Sequence, residues 1–139
     1  MELSRRDALL FGLGGLVAIA LPGAALAAKV EELTAAFAGG VVPQAGGISL
    51  TAPEIAENGN TVPVEFDAPG AVAVMLLAAG NPEPSVATFK FGPAAGSHRA
   101  ATRIRLAKTQ DVIALAKMAD GSVRQAQATV KVTIGGCGG

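Results

Sequence analysis

Short runs in which apolar and polar residues alternate fill the sequence from Ile48 onward. The last run alternates Val130, Val132 and Ile134 with threonine and lysine. A period of two is typical of half-buried strands, because successive side chains of a strand point to opposite faces. The pattern predicts seven strands, near residues 48–52, 61–67, 71–78, 86–91, 99–106, 111–118 and 122–134.

The segments between these runs are rich in the residues that form turns. Residues 57–60 read Glu-Asn-Gly-Asn, and residues 81–84 read Asn-Pro-Glu-Pro. Asparagine, glycine and proline favour turns through their backbone preferences. About seven short strands with such turns predict an all-β fold, an immunoglobulin-like antiparallel β-sandwich. The Cys…Trp…Cys spacing of true immunoglobulin domains is absent, so only the architecture is implied, and a small barrel is the alternative.

A helical period precedes the strands. Val30, Leu33 and Phe37 recur at i, i+3 and i+7, which predicts a short amphipathic helix from Lys29 to Phe37. The glycines at 39–40 are expected to end it. A helix of this length is marginal alone, so we expect it to dock on the domain or on a partner.

The amino terminus has the pattern of an export signal. Arg5 and Arg6 precede a mostly apolar run from Ala8 to Leu21, which suits a signal peptide and is too short to cross a bilayer comfortably. The paired arginines favour the twin-arginine route. That pattern usually has phenylalanine where this chain has Ala8, so the ordinary secretory route stays open. Either route places the mature protein outside the cytoplasm, in a periplasm.

Cleavage of this signal divides the chain into three parts. Ala25 and Ala27 form an A-x-A motif, so cleavage is predicted after Ala27. Residues 1–27 are then the signal, residues 28–134 the β-sandwich domain with its helix, and residues 135–139 a carboxyl-terminal arm. We expect no membrane attachment after cleavage, and an uncleaved anchor is the alternative.

Composition narrows the possible partners. The chain has 11 basic and 11 acidic residues, and the predicted cleavage removes two of each, so the net charge is zero before and after it. A neutral chain offers no basic patch for nucleic acid or for an anionic membrane. With no tryptophan or tyrosine and five phenylalanines, the core is modest. A partner subunit could therefore cover part of the apolar surface.

The last five residues are Gly-Gly-Cys-Gly-Gly and contain the single cysteine, Cys137. Terminal residues are rarely buried, and glycine tolerates almost any backbone conformation. The pattern thus predicts a thin, flexible arm, which reaches roughly 17 Å when extended. Cys137 is a candidate attachment site for a cargo, presented on an arm whose other members are Gly135, Gly136, Gly138 and Gly139.

Other interpretations of Cys137 and His98 are less favoured. An odd cysteine in an exported protein indicates intermolecular pairing or a reactive thiol. One cysteine and one histidine do not complete a zinc site without several carboxylates, so no metal is predicted. Prenylation needs the cysteine fourth from the end, and Cys137 is third. No serine or aspartate is spaced to form a triad with His98, so no catalytic residue is predicted.

Three arginines share one face of the predicted strand 99–106. Arg99, Arg103 and Arg105 alternate along it. They are either ordinary outward positions or a contact surface for an acidic partner or an anionic cargo.

Three segments of the chain together form a recognisable pattern. Two of them are residues 130–139 (VKVTIGGCGG) and residues 52–64 (APEIAENGNTVPV). The third is the turn at Asn81, which is followed by Phe89 and Phe91. With these segments the chain resembles the SoxY family, the sulfur-carrying subunits of bacterial thiosulfate oxidation. The glycine–cysteine tail behind an export signal is the specific part of the resemblance, whereas the strand pattern alone is not.

The resemblance implies a carrier protein that is not itself an enzyme and holds no cofactor. It implies that a c-type cytochrome, SoxAX, joins Cys137 oxidatively to thiosulfate, and that the SoxB hydrolase releases sulfate. A sulfur dehydrogenase then oxidises the remaining sulfane sulfur where the host has one. The resemblance also implies a heterodimer with a SoxZ-like subunit.

Two other functions remain open at this point. A ubiquitin-like sulfur carrier would use a thiocarboxylate on Gly139, but it would need ATP-dependent activation in the cytoplasm, which conflicts with the export signal. An exported structural or assembly module would use Cys137 for an intermolecular disulfide.

The thin arm predicts the effect of bulkier residues on either side of Cys137. We expect Gly136→Val or Gly138→Val to leave folding intact but to slow loading, because a side chain blocks insertion into a narrow pocket. Turnover in a reconstituted thiosulfate-oxidation assay measures this effect, and unchanged turnover would contradict the role of the glycines.

Overall fold

One helix and nine strands make up the part of the chain that the structure, a computed structural model, describes, residues 21–136. The helix α1 is Pro22–Ala38. The strands are β1 (Gln44–Ala45), β2 (Ser49–Thr51), β3 (Ile55–Ala56), β4 (Val62–Asp67), β5 (Ala71–Ala78), β6 (Ser85–Lys90), β7 (Arg99–Ile104), β8 (Gln110–Met118) and β9 (Val123–Val132). All seven predicted strands are present. The two-residue strands β1 and β3 were not predicted, because no alternation is visible over two residues.

The strands form two sheets. The larger sheet has the order β1-β9-β8-β5-β6, with β3 also paired to β9, and the smaller sheet has the order β2-β4-β7. Most pairs are antiparallel, and the exceptions are β1 and β3, which both run parallel to β9. This arrangement confirms the predicted immunoglobulin-like β-sandwich and adds two short parallel pairings to it.

The main core lies between the two sheets. Along β4, Val62, Val64 and Phe66 are buried and the residues between them are not, as the alternation predicted. The ring of Phe66 contacts those of Phe89 and Phe91 edge to face, with centroids 5.1 Å and 6.2 Å away. Such aromatic pairs contribute beyond the area that they bury.

Helix α1 covers the other face of the larger sheet. Its apolar residues pack against three buried side chains of β5 and β8, the two groups being Val30, Leu33 and Phe37, and Met75, Leu77 and Leu115. An ion pair of 2.7 Å between Lys29 and Glu83 also joins the helix to the loop before β6, and this contact lowers the pKa of Glu83. The predicted docking of the helix is therefore confirmed.

The bounds of α1 differ from the prediction at one end only. The predicted start at Lys29 is wrong, because the helix begins at Pro22, where the fixed φ of proline suits the first turn. The predicted end is confirmed: Gly39 adopts φ 64° and its N–H donates to the carbonyl oxygen of Ala35 at 3.0 Å. The cleavage predicted after Ala27 lies within α1, and the residues that dock on the sheet all follow it.

The predicted export signal lies mostly outside the described residues, including Arg5 and Arg6. Among residues 21–136, no helix has the length and apolar character needed to span a membrane.

Strands β7 and β9 each end two residues earlier than their apolar alternation predicted. Strand β7 ends at Ile104, opposite the first residue of β4, Val62. Strand β9 ends at Val132, whereas the pattern predicted strand as far as Ile134. Each of these strands ends where no neighbouring strand of its sheet continues. The segments that follow β7 and β9 then run toward the same place on the domain.

The aromatic centre of the core gives a stability prediction. We expect Phe66→Ala to lower the free energy of unfolding by about 3–5 kcal/mol, because it removes a fully buried ring and leaves a cavity. Urea denaturation measures the change. The control is Val72→Ala on β5, where the side chain is 41% exposed and a loss below about 1 kcal/mol is expected. Equal losses in the two variants would contradict the assignment of Phe66 to the core centre.

Candidate functional site

The last described residues, Ile134 to Gly136, lie against two turns that are distant in the sequence. One is the turn at Asn58–Asn60, before β4, and the other follows β7 at residues 105–108. Cys137, Gly138 and Gly139 lie outside the described residues. Three parts of the chain therefore meet directly before the candidate cargo site.

Three backbone hydrogen bonds join these parts. The N–H of Gly59 donates to the carbonyl oxygen of Ile134 at 2.7 Å, and the N–H of Leu106 donates to that of Gly59 at 2.7 Å. The N–H of Gly136 donates to the carbonyl oxygen of Leu106 at 2.9 Å, which closes a ring. We call Gly59, Leu106 and residues 134–136 the arm seat.

The glycines of the arm seat are required by close backbone approach. A Cβ on Gly59 would overlap the carbonyl oxygen of Leu106 and lie 2.8 Å from the nitrogen of Gly136. A Cβ on Gly135 would overlap the carbonyl oxygen of Ala107. A Cβ on Gly136 would lie 2.6 Å from Cγ of Arg105. Glycine allows backbones to approach in this way because it has no side chain.

The first two residues of the predicted flexible arm thus pack against the domain. Gly136 is buried, and Gly135 lies against Ala107. The flexibility of the arm beyond them stays a prediction. The expectation that Gly136→Val leaves folding intact does not fit this geometry, because the new side chain would displace Arg105 or the backbone of Gly59. Gly138 lies outside the described residues, so Gly138→Val is still expected to leave folding intact and to slow loading.

A second strand segment holds the chain just before the arm seat. Strand β3 pairs in parallel with the end of β9, and the N–H of Thr133 donates to the carbonyl oxygen of Ala56 at 3.0 Å. The hydroxyl of Thr133 donates to the carbonyl oxygen of Glu57 at 3.0 Å. The segment from Glu54 to Gly59 therefore follows the chain from β9 into the arm seat.

Two buried polar side chains support the arm seat from inside the domain. The amide nitrogen of Asn81 donates to the carbonyl oxygen of Arg105 at 2.8 Å, and its amide oxygen accepts from the N–H of Ala107 at 2.9 Å. The same oxygen accepts from the side chain of Gln110 at 2.8 Å. Asn81 and Gln110 are 4% and 7% exposed. A fully satisfied buried network of this kind fixes the backbone that it binds, here on both sides of Leu106.

The three arginines of the predicted strand have different surroundings. Arg99 forms a 2.5 Å ion pair with Glu65, and this hydrogen bond raises the pKa of Arg99. Both side chains are about half exposed, so the pair adds little stability. Arg103 is exposed on β7. Arg105 lies beyond the end of β7, is exposed, and places its aliphatic carbons beside Gly136. Of the three, Arg105 therefore borders the arm seat.

His98 lies away from the arm seat, and its ring makes contacts within the domain. Its Nδ1 accepts a hydrogen bond from the N–H of Gly70 at 3.0 Å, and its ring stacks on Phe91 with centroids 5.2 Å apart. Within residues 21–136, no group of three or more histidine, cysteine, aspartate or glutamate residues is placed to hold a metal ion.

Sequence reasoning missed Gly59, Leu106 and Asn81 as residues of the site. Gly59 and Asn81 were interpreted as ordinary turn residues, and Leu106 as part of a strand. A signal was nevertheless present, because Gly59 lies in the segment 52–64, Asn81 opens the third segment, and residues 130–139 form the tail. Each of the three segments thus has residues in the arm seat or directly below it, whereas Phe89 and Phe91 of the third segment pack in the core.

Comparison with known families gives one match over most of the chain. Residues 33–137 match the family described as sulfur oxidation protein SoxY. The matched range begins within α1, includes all nine strands and the arm seat, and ends at Cys137. Among curated proteins, no significant sequence match is found.

Solved structures agree with the family match. The chain is similar to the sulfur carrier protein SoxY from Chlorobium limicola f thiosulfatophilum, with 35% identity, a TM-score of 0.68, and coverage of 78% of this chain and 99% of that one. A superoxide reductase (neelaredoxin) from Ignicoccus hospitalis has 15% identity and a TM-score of 0.55, covering 63% and 80%. A putative superoxide reductase from Thermotoga maritima has 14% identity and a TM-score of 0.52, covering 66% and 87%. The last two similarities show a shared fold alone.

The buried network below the arm seat gives a testable prediction. We expect Asn81→Ala to lower the free energy of unfolding by at least about 2 kcal/mol, because it removes three hydrogen bonds of a buried side chain, to the carbonyl oxygen of Arg105, the N–H of Ala107 and the amide nitrogen of Gln110. Urea denaturation measures the change. The control Asn58→Ala removes an exposed hydrogen bond to the N–H of Asn60 and should cost less than about 1 kcal/mol. A near-neutral Asn81→Ala would show that the network does not hold the segment.

Proposed function

The chain belongs to the SoxY family of sulfur oxidation proteins, and from this premise we propose that it is a periplasmic sulfur carrier. Cys137 covalently holds sulfur intermediates derived from thiosulfate and presents them to the enzymes that oxidise them. The observation that carries this proposal is that the single cysteine follows directly after the arm seat, at the last residue of the family match.

The chemistry at Cys137 begins with an oxidation. The thiolate, the reactive form of cysteine, and the outer sulfur of thiosulfate form an S–S bond, and the pair of electrons lost passes to the cytochrome SoxAX. Water then cleaves the bond between the two sulfurs derived from thiosulfate. Sulfate leaves, and a persulfide remains on the carrier. SoxB performs this hydrolysis. Where the host has a sulfur dehydrogenase, that enzyme accepts the electrons of the persulfide sulfur while water supplies its oxygen atoms, and a second hydrolysis releases sulfate and restores the thiol.

The carrier contributes the attachment point and its position, and its partners contribute the catalysis. SoxAX, SoxB and the sulfur dehydrogenase are transient partners, and a SoxZ-like subunit is the stable one. Neighbouring exposed apolar side chains on the described surface support a stable partner: Val41 is 42% exposed and Val42 is 78%, and both line one cavity beside α1. A contiguous apolar surface of this kind is typical of a subunit interface.

Export from the cytoplasm completes the proposal. Arg5 and Arg6 direct the precursor to the twin-arginine route, and cleavage follows Ala27. The residues of α1 that dock on the larger sheet, Val30 to Phe37, all remain in the mature chain. In the periplasm the thiol has no second cysteine within the chain to pair with.

Intact mass spectrometry tests the proposal directly. The protein is isolated from the periplasm without reductant, from cells grown with thiosulfate and from cells grown without it. We expect mass increments of sulfur atoms or of thiosulfate that a reductant removes, that map to the peptide containing Cys137, and that appear only with thiosulfate. The mass of the unmodified form also reports whether the mature chain begins at Ala28.

The matched control is Cys137→Ser, which should fold and be exported normally but carry no increment. Mass increments that persist in Cys137→Ser would show that the cargo is attached to another residue. A thiocarboxylate on Gly139 would give this result. A bare thiol or only a disulfide-linked dimer under both growth conditions would contradict the carrier role and favour the structural module.

A further inference from the structure

The arm seat ends one residue before Cys137. The hydrogen bond from the N–H of Gly136 to the carbonyl oxygen of Leu106 is the last contact along the chain that fixes the described backbone. Three residues follow Gly136 in the sequence. Fully extended, they span roughly 10 Å, compared with roughly 17 Å for an arm that leaves the domain at Gly135.

We propose that Gly59 is a positioning residue that roots the carrier arm at Gly136, the residue directly before Cys137 in the sequence. This inference deepens the proposed carrier function and rests on it. Gly59 lies in a turn that is distant from the arm in the sequence, and it controls where the arm leaves the domain.

Contacts on three sides of Gly59 carry the inference. Its N–H binds the carbonyl oxygen of Ile134, so it fixes the chain two residues before Gly136. Its carbonyl oxygen accepts from the N–H of Leu106, whose own carbonyl oxygen then binds Gly136. The position that a side chain would occupy faces the nitrogen of Gly136 and Cγ1 of Val132, at 2.8 Å and 2.9 Å. A residue other than glycine would therefore compete with the arm for the same space.

The partner turn in this contact is itself held in place. Asn81 binds the backbone on both sides of Leu106, at Arg105 and Ala107, so the carbonyl oxygen that accepts from Gly136 has a fixed position. Leu106 is fully buried. The arm is thus rooted, at Gly136, on a segment whose backbone position the domain fixes.

A root at Gly136 has a consequence for any enzyme that accepts the cargo, because only three residues follow it. Its reactive group has to come within a few residues' length of Gly136, so the enzyme must approach the surface that surrounds the arm seat. Ile134, 68% exposed, and Arg105, also exposed, border that surface.

Hydrogen exchange in the unaltered protein is the first test. The protein is used as isolated, together with any subunit that copurifies, and with the cysteine reduced. We expect the Gly136 amide to exchange at least about tenfold more slowly than an unstructured glycine amide, because it is buried and hydrogen-bonded. The Gly138 amide, beyond the root, serves as the internal reference. Equal exchange at Gly136 and Gly138 would overturn the proposal.

A nitroxide label on Cys137 provides the second test, since the chain has no other cysteine. We expect Gly59→Ala to increase the mobility of the label and to remove the protection of Gly136, while amides of β8 and β9 stay protected. The control is Gly92→Ala, where a Cβ meets no atom within 4 Å, and it should change neither readout. Unchanged label mobility and Gly136 protection in a folded Gly59→Ala protein would overturn the assignment.

A variant on the other side of the contact covers the case in which Gly59→Ala does not fold. Gly135→Ala places a Cβ on the carbonyl oxygen of Ala107 and should release the label in the same way. None of these readouts involves bound sulfur. If the carrier function is wrong, the mass increments will be missing although the Gly136 amide is protected. If the root is wrong, the Gly136 amide will exchange freely although the mass increments are normal.

Discussion

The close approach of three backbone segments at Gly59 is the constraint on which the site depends. The turn before β4, the segment after β7 and the chain leaving β9 come within hydrogen-bonding distance of one another there. Backbone groups make all three hydrogen bonds. The contact therefore requires the absence of a side chain at its closest points rather than the presence of a particular side chain. This dependence explains why glycine occurs at 59, 135 and 136, for two different purposes. Gly59 makes room for the arm, whereas Gly135 and Gly136 fit the arm to the domain.

The β-sandwich provides the rigidity that this contact needs. Strands β4 and β7 are adjacent in the smaller sheet, and the turns that precede β4 and follow β7 therefore lie at the same end of it. Strand β9 belongs to the larger sheet, and β3 binds it in parallel, which brings the end of β9 to the same place. The two buried polar residues of the described domain are Asn81 and Gln110. They hydrogen-bond to each other, and their network binds the segment that contains Leu106. Buried polar groups are costly unless they are satisfied, so their position marks where a defined backbone matters most.

Much of the fold could be predicted from local patterns, and the site could be predicted only in part. Alternation located seven strands, and the spacing of Val30, Leu33 and Phe37 located the docked face of the helix. The early start of α1 was missed because a proline that ends one segment can also begin the next. Glycine and cysteine at the carboxyl terminus indicated a carrier arm. Nothing local in Asn-Gly-Asn distinguishes a turn that binds the arm from one that faces solvent, because the partners of Gly59 lie far along the chain, at Leu106 and Ile134.

The arm seat consists of backbone groups and apolar side chains. Its members are glycine, leucine and isoleucine, so none of them offers a side-chain acid, base or nucleophile. General acid–base catalysis needs such a group within hydrogen-bond reach of the reacting atoms. The nearest hydroxyl along the chain, that of Thr133, donates to the carbonyl oxygen of Glu57. The backbone hydrogen bonds of the arm seat therefore fix the position of the chain at Gly136, which is the part that the proposed carrier function requires of it.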